Sequence, residues 1–162
     1  MLKFIFELFS KKSESSVFSL FYFLLGIFLI LFDQGTKQYA ARHYTDMFQT
    51  SVFDLDTYRN FDFAFSLPIP FFRMMLLYVV LLVSMFVYIA SHGRQFSSLE
   101  RVGWVCIVAG ALSNVAERVV KGFVLDFIKI GTGYFNIADF YIIFGVFVLI
   151  FLSIFPFARS RP

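Results

Sequence analysis

FFRMMLLYVVLLVSMFVYIA, residues 71–90, carries one charge, Arg73, close to its start. About 20 apolar residues at ~1.5 Å rise per residue cross the ~30 Å hydrocarbon core of a bilayer, so this run predicts a membrane-spanning helix. Arg73 sits where its stem can lie along apolar surface while its head reaches water. Similar runs lie on both sides. Val17–Phe32 is broken only by Ser19, Tyr22 and Gly26. It is too short to span unless it continues past Asp33, and we extend it to about Tyr39. Its length and the lack of a small-x-small site after it argue against a cleaved signal peptide. Val102–Ala116 continues as helix to about Val120, and Lys121-Gly122 ends it. Ile137–Phe157 is the last run, bounded by Pro156 and Arg159. The expected architecture is an all-α membrane protein, one integral domain over residues 1–162, with spans at about 17–39, 71–90, 102–120 and 137–157.

Composition agrees. The chain has 162 residues, 59% of them hydrophobic and only 15% charged, with a mean hydropathy of +0.78. A soluble protein of this size could not hide so much apolar surface. The net charge of +3 comes without a basic stripe, which argues against nucleic acid as a partner. Cys106 is the only cysteine and lies in an apolar run, so no intrachain disulfide forms and a buried inert thiol is expected. His43 and His92 fall in different connecting segments, which leaves a His/Cys metal site without support.

The connections are mixed. Residues 1–16 hold Lys3, Lys11 and Lys12, and Met1–Phe9 has the spacing of a short interfacial helix. Segment 40–70 contains Asp46, Asp54, Asp56, Arg59 and Asp62. Within it Ser51–Tyr58 alternates weakly, as a short strand would, and Pro68 and Pro70 stop any element before the second span. Ser91–Arg101 reads as a polar loop. Phe123–Ile130 could be extended, followed by a turn at Gly131-Thr132-Gly133. Four spans put both termini on one side. The lysines before the first span favour a cytoplasmic placement, which sends Asp33, Asp126 and Asp139 toward the outer face.

Two carboxylates stand out, in Leu125-Asp126-Phe127-Ile128 and in Phe135-Asn136-Ile137-Ala138-Asp139. Charge at a membrane boundary is costly and points to function. Two carboxylates that share a proton form an acid/base pair. Asn136 also reads as a helix N-cap with a carboxylate at the third position, which accounts for Asp139 but not for Asp126. In Asp33-Gln34-Gly35-Thr36-Lys37 the ends are four residues apart and can pair on one helix face. Gly110, Asn114 and Arg118 recur every four residues as a notch, an amide and a guanidinium. Such a stripe packs helices in lipid, and its Arg suits bidentate contact with carbonyls or a carboxylate. Asn60-Phe61-Asp62-Phe63-Ala64-Phe65-Ser66 is a weak signal alone, since aromatic loops settle at the membrane interface.

Together these boxes resemble the lipoprotein signal peptidases, the type II signal peptidases of bacteria. That family's pattern runs D-Q-x-T-K, N-x-G-x-A-F-S, G-N-x-x-D-R with V-V-D-F, and F-N-x-A-D. This chain departs from it at Asp62, Phe63, Ser113 and Glu117. The resemblance implies that Asp126 and Asp139 are the catalytic aspartates. It implies that Asn60, Asn114, Arg118 and Asn136 line the substrate site, with Asp33, Lys37, Gly110 and Ala138 among the binding and supporting residues. It also implies cleavage before a diacylglyceryl-modified Cys of prolipoproteins, no metal or cofactor, and a multi-pass monomer in the bacterial inner membrane. A small outward β-cradle and a short amphipathic helix, supplied by 40–70 and 123–135, would complete the fold. Three other readings compete: a Ser–Lys hydrolase using Lys37 with Ser66 or Ser51, a proton-relay or transport subunit using Asp33, Asp126 and Asp139, and a structural partner of a larger complex. Within the pair, the helix start favours an ionised Asp139 as base, and the apolar flanks of Asp126 favour a neutral acid.

Overall fold

The computed structural model describes residues 13–43, 48–49, 53–61 and 69–155, with side-chain surroundings for 19–43, 54–61 and 69–155. Four long helices account for the apolar runs: α1 Ser13–His43, α2 Phe71–His92, α3 Ser98–Lys121 and α4 Ile137–Ile154. Each is long and apolar enough to cross a membrane. Between them lie the strands β1 Phe48–Gln49, β2 Phe53–Asn60, β3 Val124–Ile130 and β4 Gly133–Phe135. They form one antiparallel sheet in the order β1-β2-β3-β4. Segments 48–60 and 123–135 therefore supply the expected cradle. No short amphipathic helix occurs there among the described residues. The Asp62–Ser66 part of the aromatic box, Ser51, Pro68, Met1–Phe9, Pro156 and Arg159 lie outside them.

Helix α1 begins at Ser13 rather than Val17 and α4 ends at Ile154 rather than Phe157, and two further boundary differences have local reasons. Helix α1 runs on to His43 rather than Tyr39, because burial of Asp33 and Lys37 lets the helix continue past its charges. Helix α3 starts at Ser98, not at Val102, so the polar loop after α2 shrinks to a 3-10 turn, Gly93–Gln95. A capping box explains the early start: Glu100 N–H donates to Ser97 Oγ at 3.2 Å, and Ser97 N–H donates to Glu100 Oε2 at 2.8 Å. Two of the helix's orphan N–H groups are thereby satisfied. The far end of α3 stops at Gly122, whose φ of 80° is left-handed. Gly131, with φ 59°, turns the chain between β3 and β4. Both positions suit glycine, which has no Cβ to clash there.

Helix α3 is the centre of the bundle. Half of its most apolar window is buried, against 6% for α1 and for α2. The outward faces are those of a lipid-embedded protein, with Phe72, Phe86 and Phe147 largely exposed. Helices α3 and α4 approach closely because glycines sit at their crossing. A Cβ on Gly110 would lie 2.5 Å from the Ala138 carbonyl oxygen, and one on Gly145 would collide with the Gly103 carbonyl. Small residues gain close van der Waals packing where lipid offers no hydrophobic drive between helices. A cluster of Ala40, Phe127 and Ile128, with Leu55, Phe135 and Ile137 against it, seats the sheet on the end of α1. It fixes β3, and with β3 the backbone of Asp126, beside the start of α4.

Candidate active site

Asp126 lies mid-strand in β3, almost fully buried, with Tyr58 of β2 as its cross-strand partner. The pairing of β2 with β3 shifts register between Leu55 and Tyr58. Such an irregularity re-aims the residues beyond it, and here those residues include Asn60. Asn60 Nδ2 donates to Asp126 Oδ2 at 2.8 Å. Asn136 Nδ2 donates to Asp126 Oδ1 at 2.6 Å. Each oxygen of this carboxyl thus receives an amide N–H.

Asp139 comes from the first turn of α4. Its Oδ2 accepts from Asn136 N–H at 2.9 Å, and its own N–H donates to Asn136 Oδ1 at 3.1 Å. Asn114 of α3 supplies the fourth donor, Nδ2 to Asp139 Oδ1 at 3.0 Å. Asn136 therefore touches both aspartates, and its amide cannot flip: Oδ1 is held by the helix cap, which leaves Nδ2 for Asp126. The same logic fixes Asn114. Lys37 Nζ donates to its Oδ1 at 2.7 Å, and an ammonium has no acceptor to offer a flipped amide.

Burial pushes the Asp126 carboxyl up to about 6 from its ordinary 3.8. The hydrogen bond from Asn60 opposes that rise, the charge of Asp139 adds to it, and Asn136 and Lys37 pull back. Desolvation disfavours the charged form, and a like charge nearby does the same.

Beneath the aspartates lies a buried charged network. Lys37, 0% exposed, pairs with Asp33 at 2.8 Å and with Glu117 at 3.1 Å. Glu117 also pairs with Lys121 at 2.8 Å. The Asp33–Lys37 pair is therefore enclosed by the bundle rather than snorkelling at its edge. Asp33 carries two further bonds. Ala138 N–H donates to its Oδ1 at 2.8 Å, and Ser113 Oγ to its Oδ2 at 2.7 Å. Gln34 Nε2 completes the set by donating to Ser113 Oγ at 2.9 Å. Asp33 so ties α1 to the first turn of α4, one residue before Asp139.

Asp33, Lys37, Asn60, Gly110, Asn114, Asn136 and Ala138 thus converge around Asp126 and Asp139. Arg118, also buried, places its guanidinium over the Tyr78 ring, 5.4 Å from the centroid. Sequence reading missed Tyr78, Ser113 and Gln34 as parts of this constellation. Tyr78 hides in an apolar run, and its one signal is its place a turn after Met74, the buried residue of α2. A cavity of about 170 Å³ lined by Tyr58, Asn60, Thr132 and Tyr134 adjoins the site through Asn60. Among the described residues no cluster of His, Cys, Asp and Glu could hold a metal ion. Lys37 Nζ is enclosed by Asp33, Glu117 and Asn114, which suits a structural cation better than the general base of a Ser–Lys pair.

The family model described as signal peptidase (SPase) II matches residues 25–155. The chain is 31% identical over 135 residues to the lipoprotein signal peptidase of Caldicellulosiruptor bescii, covering 81% of this chain and 89% of that one. It is 33% identical over 153 residues to the lipoprotein signal peptidase of Francisella tularensis subsp. novicida, covering 86% and 94%. A solved bacterial membrane enzyme structure at 2.3 Å superposes with a TM-score of 0.73 and 26% identity, over 86% of this chain and 90% of that one. With the matched region running through all four helices and the sheet, the chain belongs to the signal peptidase II family, a family of peptidases.

Proposed function

We propose that this protein is an aspartic endopeptidase of the bacterial inner membrane. It removes signal peptides from prolipoproteins, cutting before the diacylglyceryl-modified Cys. The observation that carries the reading is the junction at Asn136, whose side chain and backbone together reach Asp126 and Asp139. Two carboxylates from a strand and a helix are brought to one residue with every oxygen holding a donor. That geometry suits a pair that shares one proton.

Peptide hydrolysis needs a water made nucleophilic and a proton for the leaving amine. Asp139 sits at a helix N-terminus, where N–H groups and the helix dipole favour the anion. It takes the proton from water as the oxygen attacks the scissile carbonyl. Asp126, with its carboxyl raised to about 6, holds a proton and gives it to the departing nitrogen. The cation that lowers Asp126 is Lys37, and it is the weakest of the five influences on that carboxyl. Asn60, Asn114 and Asn136 hold the pair, and Arg118 faces the substrate. Lys37, Asp33, Gly110 and Ala138 support them.

The protein acts as a monomer, one membrane domain with no cofactor. Its termini are cytoplasmic and its dyad lies toward the outer face. Lys3, Lys11 and Lys12 before the first span favour that orientation. The test is incubation of the purified protein with a lipidated preprolipoprotein. A product whose first residue is the lipidated Cys is expected. Ion flux without cleavage would instead favour a proton-relay subunit.

A further inference from the structure

The antiparallel sheet stands at the end of the bundle where the two aspartates meet, and a cavity on it has no part in their pairing. Its walls are Tyr58 and Asn60 of β2, Thr132 of the turn between β3 and β4, and Tyr134 of β4. Strands β2 and β4 flank β3 on opposite sides. Their tyrosine rings nevertheless meet across it, with centroids 4.7 Å apart and 24° between planes. Further contacts fix this wall. The Tyr134 hydroxyl donates to Asp56 Oδ2 at 3.4 Å. The Lys129 ammonium lies 5.9 Å from the Tyr134 centroid and pairs with Asp54 at 3.3 Å.

The cavity opens beside the dyad. Asn60, which lines it, donates to Asp126 Oδ2 at 2.8 Å, and Tyr58 is the cross-strand partner of Asp126. Its volume of about 170 Å³ suits one molecule of benzene size, so it takes a single side chain and not a stretch of chain. The lining is polar: two phenols, a hydroxyl and an amide. The amide is engaged by Asp126 and the Tyr134 hydroxyl by Asp56. The hydroxyls of Tyr58, 40% exposed, and of Thr132, in an exposed turn, are left to serve an occupant. Hydroxyls that exchange water for an apolar occupant lose hydrogen bonds, so the site favours a polar one.

We infer that this cavity binds the side chain of the substrate residue that follows the lipidated Cys, and that the Tyr58 and Thr132 hydroxyls select a small hydroxyl- or amide-bearing residue there. This deepens the aspartic-peptidase reading and rests on it. In an extended chain successive side chains point to opposite faces. The Cys side chain carries its diacylglyceryl group, and acyl chains stay with the bilayer. The next side chain therefore points away from lipid, toward the sheet. It lies only about 3.3 Å further along the chain, within reach of a wall bonded directly to Asp126. Tyr58 and Thr132 set specificity and touch no reacting atom.

The test is cleavage, in detergent micelles, of two lipidated preprolipoproteins that differ only in the residue after the Cys, Ser in one and Leu in the other. Wild type should cleave the Ser substrate with a kcat/KM roughly 5- to 10-fold above that for the Leu substrate, the size of one net hydrogen bond. Tyr58→Phe keeps the ring stack on Tyr134, and Thr132→Val keeps the shape of the side chain, so thermal midpoints should hold. In the double variant the ratio should fall to within about twofold of unity, through slower cleavage of the Ser substrate. Each single variant should fall partway. A wild type that cleaves both substrates equally would overturn the subsite and leave the peptidase reading standing. So would a ratio that the double variant retains. Cleavage of neither substrate by wild type would instead overturn the peptidase reading, and this inference with it.

Discussion

Asn136 and Asp139 cap one another at the start of α4, each accepting the other's backbone N–H, and the amide left over from that exchange donates to Asp126 at 2.6 Å. The helix cap and the proposed catalytic junction are the same residue. Asn136→Ala should therefore cost about 1 kcal/mol of stability, as for other caps. It should lower kcat far more, roughly 100-fold, because both carboxyls lose their common anchor and small displacements are costly in rate. Thermal unfolding and cleavage kinetics on the same preparation separate the two effects.

Lys37 is buried between two carboxylates and an amide. Lys37→Met should destabilise the bundle by about 3–5 kcal/mol, since it strands buried Asp33 without its cation and leaves Glu117 with Lys121 alone. The double variant Lys37→Met with Asp33→Asn should recover part of that loss, because one uncompensated charge is gone. Thermal midpoints of the two variants in detergent check this.

The crossing of α3 and α4 sets the distance from Asn114 to Asp139. A methyl at Gly110 would meet the Ala138 carbonyl at 2.5 Å, so Gly110→Ala should cost about 1–3 kcal/mol by overpacking and reduce turnover by shifting Asp139. Gly35→Ala on α1 meets nothing within 4 Å. It should stabilise slightly, by a few tenths to ~1 kcal/mol, through helix propensity. Comparing the two by thermal unfolding isolates the crossing from the general effect of replacing glycine.

Asp126 has a carboxyl raised from 3.8 to about 6. If it supplies the proton, kcat/KM should fall as pH rises through about 6, with the titration belonging to the pair. Stability carries the same sign. A carboxyl with a higher pKa folded than unfolded binds more protons when folded, so its contribution is full below 3.8 and lost as pH rises toward about 6. Asp126→Asn should flatten that slope in a pH series of thermal midpoints.

Much of this site was legible before any coordinates. Asp126 and Asp139 stand out because charge in apolar sequence has few bland explanations, and Asp33 with Lys37 announces its own pairing by spacing. The four helices follow from run length alone. What stayed hidden is long-range. The register shift between Leu55 and Tyr58 depends on how β2 meets β3, which no local pattern records. Ser113 reads as a small packing residue until its hydroxyl is seen between Asp33 and Gln34. Tyr78 reads as one more aromatic in lipid. The early start of α3 has a different cause: Ser97 and Glu100 spell a capping box in the sequence, and it lies upstream of the apolar run that marks the helix.

The central claim is that Asp126 and Asp139 work as one catalytic pair. Its most direct test is single-turnover cleavage of a lipidated preprolipoprotein by Asp126→Asn and by Asp139→Asn, each shown by circular dichroism to be folded. Each substitution alone should abolish formation of the product beginning at the lipidated Cys, a loss of at least about 1,000-fold as expected for members of a catalytic unit. Near-normal turnover by either folded variant would contradict it.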